Sequence, residues 1–130
     1  MDQRFPKEEK LKSRKLIEKL FSEGKSISRF PLRLVYVKTE FPGTAGVQAA
    51  VSVSKRKFKK AVDRNRIKRL LREAYRLNKH QVKERIGTEA SYAFMILYLG
   101  REMPEYRKTD RKMRELLHLF LEEEAGEGKF

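Results

Sequence analysis

At 130 residues and 15.4 kDa the chain fits one domain, residues 1–130, with mass enough for a hydrophobic core of its own. The absence of cysteine removes disulfides, zinc–thiolate sites and thiol catalysis, and it accords with an expected cytoplasmic location. The longest apolar run, Ala93 to Leu99, is too short to span a bilayer, and the charged N-terminus has no secretory pattern. Thirty-two Lys and Arg against eighteen Asp and Glu leave a net charge of +14, which draws phosphate polymers or anionic membranes.

In chain order, residues 1–12 read as a mobile basic arm. A helix is predicted from Ser13, a good N-cap, to Glu23, with Gly24 as its stop and Leu16, Ile17, Leu20 and Phe21 on one face. Arg33 to Lys38 has the β-branched and aromatic content of a strand, and Phe41 to Gly46 is a turn-rich connection. Gln48 to Ser54 alternates as a half-buried strand does. A basic helix is predicted over Ala61 to Asn78. Ser91 to Leu99 is apolar on both alternating sets, as in a central strand covered on two faces. After a loop containing Pro104, a last helix begins near Thr109 or Asp110, where Met113, Leu116, Leu117, Phe120 and Leu121 keep helical spacing. Residues 122–130 read as an acidic, fraying tail. The expected class is α+β, a small mixed sheet with helices packed on it.

The charge is concentrated. From Lys55 to Arg76 there are eleven basic residues and two acidic ones, Asp63 and Glu73, so this window supplies nine of the fourteen surplus charges. On a helical wheel Ile67, Leu70, Leu71, Ala74 and Asn78 share the core side. Asn65, Lys68, Arg69, Arg72, Arg76 and Lys79 share the other, and Arg64 and Arg66 flank the apolar stripe near the helix start. Asn65 to Arg76 spans roughly 16 Å, enough to track several phosphates. Like charges crowded on one face cost helix stability unless an anion compensates, and Arg in particular binds phosphate through a planar fork.

Ser52 to Arg76 reads SVSKRKFKKAVDRNRIKRLLREAYR. This resembles the signature of the bacterial ribonuclease P protein family, carried here by Ala61, Val62, Arg64, Asn65, Arg66, Lys68, Arg69, Arg72, Glu73, Tyr75 and Arg76. Leu11, Leu20, Phe21 and Gly24 resemble the family's first helix and its stop, and Val51, Val53, Ser54 and Lys55 the strand that leads into the basic segment. Two positions depart from the pattern. Lys57 to Lys60 is one residue longer than the family's usual glycine-bearing turn, and Ile17 stands where an aromatic is usual.

The resemblance implies a small sandwich similar to a ribosomal-protein fold, with one more short strand than the residues themselves place. It implies that Arg64, Asn65, Arg66, Lys68, Arg69, Arg72 and Arg76, with Lys55 and Arg56, contact the catalytic RNA. It also implies that a cleft at the first helix holds the 5′ leader of precursor tRNA, for which Phe21, Ile17, Tyr36, Arg14 and Lys15 are the candidates. Magnesium ions would be bound mainly by the RNA and none tightly by the protein, which would act as a monomer, one per RNA. The residues themselves offer no protein active site or metal site: His80 and His118 fall on different elements, and Glu122 to Glu124 sits in the expected tail. The rival is a structural, ribosomal-type RNA-binding protein without a part in cleavage. DNA and membrane partners are not expected, because no helix-turn-helix precedes the basic helix and it lacks an exposed aromatic face.

Overall fold

The computed structural model describes residues 9–40, 46–86 and 90–126, with side chains through Glu124. The elements are α1 (Arg14–Glu23), β1 (Lys25–Arg29), β2 (Leu32–Thr39), β3 (Val47–Val53), α2 (Ala61–Asn78), α3 (His80–Ile86), β4 (Ser91–Tyr98) and α4 (Tyr106–Gly126). The sheet is mixed, in the order β1-β2-β4-β3: β1 with β2 and β2 with β4 are antiparallel, β3 with β4 parallel. The α+β expectation therefore holds, with β4 central as its doubly apolar sequence requires.

The two faces of the sheet carry different cores. Period-2 alternation sends Leu32, Leu34 and Tyr36 of β2, with Tyr92, Phe94 and Ile96 of β4, to the face covered by α2 and α4. There Phe120 is the hub, meeting Tyr36, Tyr92 and Phe94 edge-on at ring separations of 4.9, 5.0 and 4.9 Å. Each such pair adds about 0.5–1.5 kcal/mol beyond its buried area. The opposite set, Val35, Ala93 and Met95, packs with Leu11 and Leu20 under α1, which leaves Leu16, Ile17, Val37, Ala50 and Leu97 only partly covered. A single short helix cannot cover a four-stranded sheet, so this face keeps an open apolar floor.

Local chemistry explains most boundaries. Ser13 caps α1 by accepting the Leu16 N–H at 3.3 Å, and the Gly24 N–H closes it on Leu20 O at 2.9 Å. Gly24 has an extended backbone; it must be glycine because a Cβ there would collide with the Leu20 carbonyl and press on Val35. The α2 boundaries are those expected.

Several expectations need correction. The extra strand is β1, ahead of β2 and paired with it through a turn at Phe30-Pro31, and a seven-residue helical segment, α3, follows α2. Residues 9–11 are not a mobile arm: Lys10 bridges to Ala49 at the β3 edge, Leu11 is buried, and Glu9 is sealed against Lys79. Residues 1–8 lie outside the described residues. The last helix starts earlier, at Tyr106, and outlasts its expected end. Glu124 is buried and accepts the Tyr92 hydroxyl at 2.7 Å and that of Tyr36 at 3.5 Å, which fastens the first residues of the expected fraying tail to the core. Residues 127–130 and most of the Phe41 to Gly46 turn lie outside the described residues.

Candidate nucleic-acid interface

The α2 helix buries Ile67, Leu71, Ala74, Tyr75 and Asn78 and turns Asn65, Arg66, Arg69 and Arg72 to solvent, with Lys68 half-exposed. Among the described residues none of these five has an ion-pair partner. With Lys10, the side chains of Asn65, Arg69, Arg72, Glu73 and Arg76 line a shallow concavity along the helix. A second groove, lined by Lys10, Leu11, Lys12, Ala49, Ala50, Val51 and Arg72, continues it across the β3 edge. Lys10 and Lys12 escape sequence reasoning because nothing local in a charged N-terminal stretch reveals pairing with a distant strand.

Other basic residues predicted for this surface are engaged by the protein itself. Arg64 Nη1 donates to Phe58 O at 2.7 Å and Lys59 O at 3.0 Å, closing the loop before α2. Within that loop Phe58 is buried against Tyr98, and Lys57 Nζ donates to Leu99 O at 2.7 Å. Lys55 and Arg56 remain exposed beside it. Arg76 forms a forked pair with Glu73, at 2.6 Å from Nη2 to Oε1 and 3.2 Å from Nε to Oε2. The hydrogen bond from Arg76, then its charge, holds the Glu73 carboxyl below the ordinary range. Lys79 is a correction: assigned to the basic face, it is buried and paired with Glu9, because the helix ends there and the chain folds back over it.

On the α1 side, Arg14, Ile17 and Phe21 follow one stripe at i, i+3 and i+7, with Lys15 exposed nearby. Phe21 is 60% exposed although large and apolar, whereas Ile17 is half-buried against the sheet. Val37, Ala50 and Leu97 extend the same partly covered floor. They went unrecognised because strand alternation reveals two faces but not which one a single helix leaves open. Tyr36 is a second correction. At 3% exposure it lies on the opposite face, in edge-on contact with Phe120, so it cannot line this cleft.

No group of three or more His, Asp or Glu side chains able to hold a metal ion occurs among the described residues. Among the described residues the donor set thus does not fit a magnesium site. His80 lies on α3 and His118 on α4, where its Nε2 meets Glu122 at 2.8 Å.

A ribonuclease P family profile matches residues 5–121. The ribonuclease P protein component of Porphyromonas gingivalis is 40% identical over 112 residues, covering 85% of this chain and 82% of that protein. The corresponding protein of Chlorobium phaeobacteroides is 35% identical over 125 residues, covering 86% and 84%. Among solved structures, the Staphylococcus aureus RNase P protein superposes with a TM-score of 0.67 at 16% identity, over 86% of this chain and 94% of that one. The Thermotoga maritima protein gives 0.65 at 24% identity, over 84% and 94%. At these identities the structural matches speak to the fold.

Proposed function

The chain belongs to the ribonuclease P protein family, and from that premise we propose that it holds two RNA segments rather than cutting RNA itself. As a protein component it is a subunit of a tRNA-processing endoribonuclease and a partner of the ribonuclease P RNA. The observation that carries the proposal is the α2 face, where Asn65, Arg66, Lys68, Arg69 and Arg72 stand in sequence with no carboxylate partner among the described residues. Backbone phosphates of the catalytic RNA are the counter-charges for that row, with Lys55 and Arg56 at its start.

The open floor beside α1 takes the single-stranded 5′ leader of precursor tRNA. Phe21 and Ile17 offer apolar contact to bases and Arg14 and Lys15 charge to the backbone, a combination tolerant of sequence. The groove through Lys10, Lys12 and Arg72 supports this arrangement, since it joins the α2 face to Ala50 on that floor. A leader and the catalytic RNA bound on one continuous surface are held in fixed relation, which lowers the entropic cost of bringing the cleavage site to the reacting centre. Phosphodiester hydrolysis and its magnesium ions reside with the RNA in this reading. The protein acts as a cytoplasmic monomer, one per RNA.

The test is single-turnover cleavage of a precursor tRNA by a bacterial ribonuclease P RNA at low magnesium, with and without this protein. Strong stimulation, with no cleavage by the protein alone, is expected. Tight, salt-sensitive RNA binding without stimulation would overturn the reading in favour of a structural RNA-binding role.

A further inference from the structure

The basic face of α2 does not stop at its own helix. On the flank away from Lys10, Arg66 and Leu70 meet Met103, Pro104 and Tyr106 in a concavity of about 260 Å³ between α2 and the start of α4. Its walls are apolar: Leu70 is half-buried, and Met103 and Tyr106 are 40% and 37% exposed although both are large hydrophobic side chains. Its rim is cationic at Arg66, the exposed second arginine of the Arg64-Asn65-Arg66 run. Desolvation, then the charges of Asp110 and Glu73, push the Tyr106 phenol up, while Arg76 opposes them, so the ring lies among the polar groups that join α2 to α4.

We propose that this concavity binds one unpaired nucleotide of the ribonuclease P RNA, its base against Tyr106 and Met103 and its phosphate on Arg66. The inference rests on reading the α2 face as the RNA surface, and adds to it a base-binding pocket beside the phosphate-tracking row. Three features favour a nucleotide. An aromatic ring and a thioether flanked by an Arg match the platforms that hold splayed bases. The volume falls just short of the roughly 300 Å³ at which sites for larger ligands begin, which suits one base. The pocket also shares Arg66 with the α2 row, so RNA held on that row lies beside it.

The test uses the whole protein and the transcribed ribonuclease P RNA, with affinity measured across a salt series for Tyr106→Ala, Tyr106→Phe, Met103→Ala and Arg69→Ala. Tyr106 stands half-exposed at the first residue of α4, and thermal unfolding of each variant checks that the fold persists. Tyr106→Ala is expected to weaken binding roughly 5- to 100-fold, in the range of base-stacking contacts, with the salt slope unchanged. Tyr106→Phe should bind as the parent does, and Met103→Ala should fall between. Parental affinity for both Tyr106→Ala and Met103→Ala, with Arg69→Ala weakened, overturns the pocket and spares the α2 surface. No effect of Arg69→Ala on affinity or slope would instead fail the α2 reading itself. A parent dimer in sedimentation that Tyr106→Ala dissociates would make the patch a self-association surface, and would also overturn the proposal.

Discussion

Lys79 Nζ sits 2.8 Å from Glu9 Oε1 with both side chains sealed from solvent, and Lys83 Nζ reaches Glu9 Oε2 at 3.0 Å. One carboxylate thereby fixes the N-terminal segment against the end of α2, immediately before Lys10 takes its place beside Arg72. Removing Glu9 takes the paired carboxylate from a buried ammonium, so Glu9→Ala is expected to cost up to about 3–5 kcal/mol in chemical denaturation. The double change Glu9→Leu with Lys79→Met should recover most of that, since a buried pair and an apolar pair of similar volume differ little. A loss below roughly 1 kcal/mol for Glu9→Ala would mean that water or another partner satisfies Lys79.

Arg64 and Arg69 look alike in the sequence and should behave differently. Arg64 spends its guanidinium on Phe58 O and Lys59 O, whereas Arg69 is exposed and has no ion-pair partner among the described residues. Arg64→Ala is expected to lose about 1–3 kcal/mol of stability, because two loop carbonyls lose a charged donor. Arg69→Ala should leave stability within about 0.5 kcal/mol of the parent. Its mark should appear in RNA binding, as a salt slope shallower by about 0.7–0.9. Equal slope changes with equal stabilities would show that Arg64 leaves the loop to bind phosphate.

Glu73 masks Arg76 in the free protein. The carboxyl is held low by Arg76, so its stabilising effect is fully present above the unfolded carboxylate pKa and is lost as pH falls through the lower folded value. The pair is half-exposed, so solvent screens it and little folding stability is at stake. Glu73→Gln is therefore expected to be nearly neutral for folding at pH 7. It should tighten binding to the ribonuclease P RNA and steepen the salt slope by up to one phosphate contact, as Arg76 loses its forked carboxylate partner. Weaker binding would mean that Glu73 aims Arg76 at the RNA instead of masking it.

The elements most legible in the sequence were those whose side chains repeat a period strongly. The α2 stripe of Ile67, Leu71, Ala74 and Asn78 and the doubly apolar β4 were both placed within a residue or so. Where the apolar signal is thin, reading failed. In β1, Lys25–Arg29 offers Ile27 as its lone hydrophobe, since an edge strand needs little else; in α3, Val82 and Ile86 are the buried residues. The misplaced side chains had a different origin. Tyr36, Lys79 and Glu124 owe their burial to partners 88, 70 and 32 residues away in sequence, at Glu124, Glu9 and Tyr92, and no local window contains such a pairing.

Phe21 and Tyr36 test the leader groove by contrast. Tyr36 belongs to the aromatic cluster around Phe120, so Tyr36→Ala should cost about 3–5 kcal/mol and depress activity through unfolding. Phe21 lies exposed beside Ile17 on α1, and Phe21→Ala should stay within about 0.5 kcal/mol of the parent in stability. The holoenzyme carrying Phe21→Ala should nevertheless bind a precursor tRNA with a 5′ leader more weakly, by roughly 5-fold or more, as loss of one base-stacking contact requires. Its affinity for mature tRNA, which has no leader, should not move. Equal losses for the two RNAs would place Phe21 on a surface common to both, and the open floor beside α1 would then need another occupant.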